Sequence, residues 1–281
     1  MAHTFALSVG HVNLGKEAWL RRMAESGICD FEYSNSPFPP VREVRAQIAA
    51  LRPYIEAGSI RFPSLHLPFG WNNEECPGQP EEFDRNLCMD RLGNLIDVFL
   101  PIGMKHLTMH VGRPVEGVSH EEGIPLAKLA IERILPTVEK YGLSLNIELC
   151  PRQAISHTPE DLEKLLDGMP ECVGICFDVN HGDLRGREIP EWIARLGKRI
   201  RTFHISDCDG IDECHWMPGV GAMDWPAILH EIARLDHDCV LIWEVSMDGY
   251  KTPAFIGRDV DPVWFLRAVE RNMAWAKTLL K

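Results

Sequence analysis

Residues 143–149 read Leu-Ser-Leu-Asn-Ile-Glu-Leu. Side chains of a β-strand alternate between its two faces, so Leu145, Ile147 and Leu149 line one face while Asn146 and Glu148 line the other. A carboxylate therefore closes an apolar strand on the side away from its greasy face. The run Val173-Gly174-Ile175-Cys176-Phe177-Asp178 repeats the split, with Val173, Ile175 and Phe177 opposing Gly174, Cys176 and Asp178. Arg201, Phe203 and Ile205 likewise oppose Thr202 and His204, and Leu241, Trp243 and Val245 oppose Ile242 and Glu244.

The same design extends outward from these four runs. Pro-Ser-Leu-His-Leu carries His66 and Leu-Thr-Met-His-Val carries His110. Successive special residues lie roughly 25 to 45 positions apart, the length of one strand, loop and helix. Alternation and β-branched content predict strands near 4–9, 28–33, 60–66, 105–110, 143–148, 173–178, 200–205 and 239–244. Apolar residues at three- and four-residue spacing predict helices near 16–26, 41–57, 84–100, 121–140, 159–167, 188–197, 225–235 and 262–279. Eight strand–helix repeats specify an α/β chain folded as a single (β/α)8 TIM barrel over 1–281. Greasy faces would pack on the outer helices, and the special residues would meet at the C-terminal strand ends, where this fold places its active sites.

Local punctuation agrees. Gly58, Gly103, Gly142 and Gly197 fall near predicted helix ends, where a left-handed residue is wanted, and Asp224 precedes Trp225-Pro226 as a helix cap. Two long loops, 68–83 and 206–223, follow the third and seventh strands and are expected to shape a substrate pocket.

Composition narrows the function. The chain has 281 residues, 45% hydrophobic, with no run of about 18 apolar residues and no signal-like start, so a cytoplasmic protein without membrane contact is expected. Nine cysteines without Cys-x-x-Cys spacing argue against disulfides and thiolate zinc sites. The formal net charge of −12 argues against nucleic acid and favours a small-molecule substrate; a homo-oligomer is left open.

Isolated buried charges are costly unless paired or bound to a cation. Glu148, Asp178, His204 and Glu244 are therefore read as metal ligands, a mostly oxygen set suited to Mn²⁺, Mg²⁺, Co²⁺ or Zn²⁺, as against one or two barrel salt bridges. His181, three residues past Asp178, would ligate a second ion or touch a substrate oxygen. His66 and His110 would be ligands or orient substrate. Glu213 and His215 on the second long loop are further candidates beside a plain solvated loop. Glu32 on the second strand also points inward, and is read as a salt-bridge partner at the barrel floor. Phe69, Trp71 and Trp216 are candidate pocket walls, and Arg113, Arg152 and Arg185 are either anion contacts or surface charges.

The motifs Ser-Leu-His-Leu-Pro-Phe, Thr-Met-His-Val-Gly, Asn-Ile-Glu-Leu, Cys-Phe-Asp-Val-Asn-His, Thr-Phe-His-Ile-Ser-Asp, His215-Trp-Met-Pro-Gly-Val-Gly and Ile-Trp-Glu-Val span the third strand to the last. In order and spacing they resemble the xylose isomerase-like TIM barrels, which hold sugar phosphate isomerases and epimerases together with the second family of AP endonucleases. The resemblance to ketose 3-epimerases implies one divalent ion at Glu148, Asp178, His204 and Glu244, with His181 on a substrate oxygen. Gly210 stands where those epimerases carry a substrate-gripping arginine. The resemblance to the AP endonucleases implies nine ligands around three zinc ions, with counterparts in the six strand-end residues plus His181, Glu213 and His215; Glu213 stands where that family has Asp.

The leading expectation is a metal-dependent isomerase or epimerase of a small sugar, sugar phosphate or related hydroxy-carbonyl compound. A cation would stabilise the enediolate formed as a carbon loses its proton, with Glu148 and Glu244 removing and returning it. The alternative is metal-assisted phosphoester hydrolysis. Acidic residues in both long loops, among them Glu74, Glu75, Glu81, Glu82, Asp207, Asp209, Asp212 and Glu213, argue against a DNA substrate.

Overall fold

A computed structural model describes residues 2–35, 38–69, 77–151, 153–182, 188–245 and 262–280. Eight parallel strands close into one barrel in sequence order. They are β1 (Thr4–Gly10), β2 (Asp30–Ser34), β3 (Arg61–His66), β4 (His106–Met109), β5 (Ser144–Glu148), β6 (Val173–Asp178), β7 (Ile200–Ile205) and β8 (Val240–Trp243). The described helices are α1 (His11–Leu14), α2 (Glu17–Glu25), α3 (Val41–Glu56), α4 (Glu82–Phe99), α5 (His120–Lys140), α6 (Pro159–Leu166), α7 (Ile189–Leu196), α8 (Trp225–Ala233) and α9 (Pro262–Leu279). Every predicted strand and helix is present. The turn α1 is an addition: four residues directly after a strand are too few to show a helical period.

The two faces of each strand part as the alternation requires. Leu145, Ile147, Ile175, Phe177, Phe203, Leu241 and Trp243 join one core between strands and helices. Ala6, Val240 and Ile242 form a separate small cluster. Alternation places these three on the inward face, which elsewhere carries buried polar groups: Glu32, Ser64, Thr108, Asn146 and Thr202.

Two register shifts matter for the site. Between β2 and β3 the pairing passes from Asp30↔Arg61 to Glu32↔Ser64, so β3 carries one extra residue where Pro63 lies, and a proline without an N–H is tolerated at such an irregularity. Between β6 and β7 the pairing passes from Ile175↔Ile200 to Cys176↔Thr202, which leaves Asp178 opposite His204 at the rim.

Helix ends follow the predicted chemistry with one correction. Ser119 and Thr158 form capping boxes with Glu122 and Asp161, and Asp224 accepts from the N–H of Ala227 at 3.2 Å. Gly58, Gly103 and Gly142 have positive φ as expected. Gly197 does not: its φ is −46°, and it continues right-handed into a 3₁₀ turn, Gly197–Arg199. Its lack of a side chain serves packing instead, because a Cβ there would come within 2.7 Å of Leu235. Among the described residues no helix is long and apolar enough to cross a membrane.

Candidate metal centre

Glu148 ends β5 and Asp178 ends β6, while His204 lies one residue before the end of β7 and Glu244 one residue beyond β8. One atom from each of these four residues lies within 4.8 Å of the others. His204 Nδ1 is the hub, 3.3 Å from Glu148 Oε1, 3.3 Å from Glu244 Oε2 and 3.6 Å from Asp178 Oδ2. The four side chains that the sequence assigned to one cation thus converge on one point.

The hydrogen bonds show which atoms are spare. Asp178 Oδ1 accepts from the N–H of Asn180 at 2.6 Å, whereas Oδ2 is buried without a hydrogen bond. Glu244 Oε2 is in the same condition. Glu148 Oε2 lies 3.0 Å from His66 Nε2 and 2.8 Å from His110 Nε2, leaving Oε1 toward the hub. Buried acceptors without donors are costly, and three carboxylates around one imidazole nitrogen leave unfavourable charge. A divalent cation at the hub would satisfy both, so the donor set fits such an ion.

Electrostatics point the same way. Burial works against charge on His204, yet Cys176, Glu244, Glu32 and Glu148 prevail and hold its imidazole well above the usual histidine range. Burial is likewise overcome at His181 by Asp178 and Glu148, which raise its pKa to about 10. Burial also opposes charge on Glu148, but His110 and His204 pull its carboxyl well below the usual range. Glu244 goes the other way: burial, with Asp178 and Glu148 nearby, pushes its carboxyl up. The surrounding carboxylates thus shift His204 and His181 toward the charged form.

The flanking candidates fall into two further groups. His66, His110 and Glu148 form one, and His181, Glu213 and His215 form the other, each with ligand-type atoms within 4.8 Å. His66 Nδ1 must donate to the carbonyl of Leu67 at 2.8 Å, so its other nitrogen faces Glu148. His181 Nδ1 lies 3.1 Å from the carbonyl of Leu149, and its Nε2 is 3.7 Å from Glu213 Oε2. His215 has a φ of +48°, a left-handed conformation unusual for a residue with a side chain. An antiparallel bridge between Asp207 and Trp216 holds it there, with reciprocal N–H to carbonyl bonds of 2.8 Å.

Of the predicted pocket walls, Phe69 stacks on His110 with ring centroids 4.2 Å apart and lies 5.2 Å from His66. Trp216 is half-buried on the bridged loop. Trp71, Arg152, Arg185, Glu74 and Glu75 lie outside the described residues.

Three roles escaped the sequence reading. Glu32 is inward and ion-paired as expected, but its partner is His204 at 3.3 Å, directly behind the hub. Cys176, placed with Asp178 on one strand face by alternation but given no role, has its thiol within 4.8 Å of ligand atoms of Glu148 and His204, and burial pushes its pKa to about 11. Asp207 was counted in an acidic rim, yet it is fully buried. Its carboxylate accepts from the N–H groups of Cys208, Gly219, Gly221 and Met223 and from the indole of Trp225. It is the anchor of the loop that carries Glu213 and His215. The strand-end Asp in Ile-Ser-Asp, followed by glycines at 219 and 221, was the available signal.

Comparison with known proteins now places the chain. Residues 17–269 match the family described as xylose isomerase-like TIM barrel. The chain belongs to that family. Within the xylose isomerase-like barrels, an uncharacterized protein y4fM from Sinorhizobium fredii is 25% identical over 189 residues, covering 66% of this chain and 61% of the relative. The aligned part thus spans about three fifths of that relative's length. A crystal structure of D-psicose 3-epimerase in the presence of D-fructose is similar with a TM-score of 0.77 at 14% identity, covering 99% of each chain. A structure of IOLI protein with a binding zinc atom has a TM-score of 0.77 at 17% identity, covering 97% of each chain. At these identities the likeness establishes the shared barrel.

Proposed function

We propose that this xylose isomerase-like barrel is a divalent-metal-dependent isomerase or epimerase of a small sugar, sugar phosphate or related hydroxy-carbonyl compound. The observation that carries the reading is the convergence of Glu148, Asp178, His204 and Glu244 on one point, with buried oxygens of Asp178 and Glu244 left without hydrogen bonds. When bound, a divalent ion such as Mn²⁺, Zn²⁺, Co²⁺ or Mg²⁺ would supply positive charge to adjacent carbonyl and hydroxyl oxygens of the substrate.

Glu244 is the more accessible of the two carboxylates, with about a quarter of its side chain exposed, which suits it to meet a substrate proton. Glu148 is buried and linked through Oε2 to His66 and His110, so a proton reaching it has two imidazoles beside it. The pair would remove and return a proton at a carbon next to the carbonyl. Phe69, stacked on His110, would wall the pocket. The epimerase and zinc-bound structural neighbours support this reading. The test is a screen of ketoses and inososes with Mn²⁺ in deuterated water. Enzyme-dependent C–H exchange is expected, and its absence across the panel would remove the reading.

One observation favours a second reading, metal-assisted phosphoester hydrolysis. The nine candidate ligands fall into four overlapping groups, two of which share Glu148 and two of which share His204 and Glu244. Clustered ions activating water would need such a layout. Exposed Glu81, Glu82, Asp209 and Asp212 argue against a DNA backbone as its substrate. Incision of an abasic duplex at physiological salt, or hydrolysis of a small phosphate ester with two or three ions bound, would reverse the ranking.

A further inference from the structure

The second strand contributes nothing to the cation quartet, yet it holds Glu32, fully buried in the barrel interior. A buried carboxylate is tolerated only with donors around it, and Glu32 has three. Ser8 Oγ donates to Oε1 at 3.1 Å, Ser64 Oγ donates to Oε2 at 2.7 Å, and His204 Nε2 lies 3.3 Å from Oε1. The extra residue of β3 around Pro63 sets Ser64 opposite Glu32 in register. An ionised carboxylate can only accept, so the hydrogen on this side of the imidazole must sit on Nε2.

That assignment fixes the opposite nitrogen. With its proton on Nε2, a neutral His204 presents the Nδ1 lone pair to the place where oxygens of Glu148, Asp178 and Glu244 meet. We propose that Glu32, held by Ser8 and Ser64, is the positioning residue that sets the tautomer and ring orientation of His204 and so makes its Nδ1 a cation ligand. A carboxylate behind a ligating histidine also makes its free nitrogen a better donor. The inference rests on the reading of the quartet as a cation site, and holds whichever reaction that cation serves.

The experiment titrates metal-free protein with Mn²⁺ by calorimetry and records the histidine N–H proton resonances of the Zn²⁺-loaded protein. Glu32→Gln keeps the shape but offers an amide that can donate or accept. Mn²⁺ affinity is expected to fall by about 10-fold or more, and the downfield Nε2–H resonance of His204 to move upfield. A folded Glu32→Gln protein with native affinity and an unmoved resonance overturns the proposal. If that variant does not fold, the Ser8→Ala/Ser64→Ala protein retains the carboxylate but loses its two hydroxyl donors. It should bind Mn²⁺ about 3-fold or more weakly with the same upfield movement, and native behaviour overturns the proposal. Wild-type protein that binds no Mn²⁺ removes the quartet reading and this inference together, whereas native binding unaffected by the variants removes this inference alone.

Discussion

Oε2 of Glu148 lies 2.8 Å from Nε2 of His110, and its sister oxygen faces the hub at His204. One carboxylate thus joins the His66–His110 group to the quartet. Replacing it should break both while leaving the barrel standing. In Glu148→Gln, Mn²⁺ affinity is expected to fall by about 100-fold and turnover on an identified substrate by about 1,000-fold. Calorimetry and C–H exchange in deuterated water measure the two, and exchange at the wild-type rate would show that Glu148 has no proton-transfer role.

Metal content separates the two readings of the site. Protein loaded with Mn²⁺ or Zn²⁺ and freed of excess ion should hold about one ion per chain by mass spectrometry if the quartet is the working site. His215→Ala should then leave that count unchanged. A wild-type count of two or three, dropping by one in His215→Ala, would place an ion at His181, Glu213 and His215.

Metal-free protein should lose stability as pH rises. His181 in the folded state keeps its proton up to about 10, because Asp178 and Glu148 hold it there against the effect of burial, whereas its ordinary value is 6.5. A raised folded-state pKa gives stability that is complete below the unfolded value and is lost as pH climbs through the folded one. Melting temperatures in EDTA should therefore decline from about pH 6 to about pH 10, and bound Mn²⁺ should flatten the decline. A profile in EDTA that is level over this window would mean that the imidazolium carries no such load.

Asp207 should matter for stability more than its place in a loop suggests. Asp207→Ala leaves the buried N–H groups of Gly219, Gly221 and Met223 and the indole of Trp225 without their acceptor. The expected loss is about 3 kcal/mol, read from urea unfolding. Because none of the quartet lies on that loop, the quartet should keep its ion. Unfolding at wild-type urea concentrations would show that the loop finds other acceptors.

Phe69→Ala should leave metal content alone and weaken substrate binding. The ring stacks on His110, which is not one of the quartet. A rise in KM of about 10-fold with little change in kcat is expected for a wall that binds ground and transition states alike. A fall in kcat alone would instead make Phe69 a support for His110.

The barrel was readable because strand alternation puts chemistry and core on opposite faces, and Leu145, Ile147 and Glu148 show this within one strand. The quartet was readable for the same reason, even though Glu244 stands one residue beyond β8. Glu32 was seen to point inward, but alternation gives no depth along the barrel axis, so its partner could not be named. Asp207 was misjudged because burial of a loop carboxylate depends on how the chain folds back, and the glycines that let the backbone approach it are 12 and 14 residues away. At Gly221 a Cβ would come within 2.0 Å of the Cys208 carbonyl, a constraint visible only in three dimensions. Gly197 was misread because a glycine at a helix end can serve a turn or a close approach, and composition does not tell them apart.

The closing of the barrel between β1 and β8 has a consequence for biosynthesis. Thr4 N–H bonds to the Cys239 carbonyl and Ala2 N–H to the Asp238 carboxylate, so the residues of β1 wait for a strand made more than two hundred residues later. Glu244 lies just past that final strand. A nascent chain on the ribosome can gather Glu148, Asp178 and His204 early, but it gains its fourth ligand only as the cylinder seals. At the proposed site, cation capture would thereby be timed to the sealing of the barrel, when the remaining oxygens already stand in place.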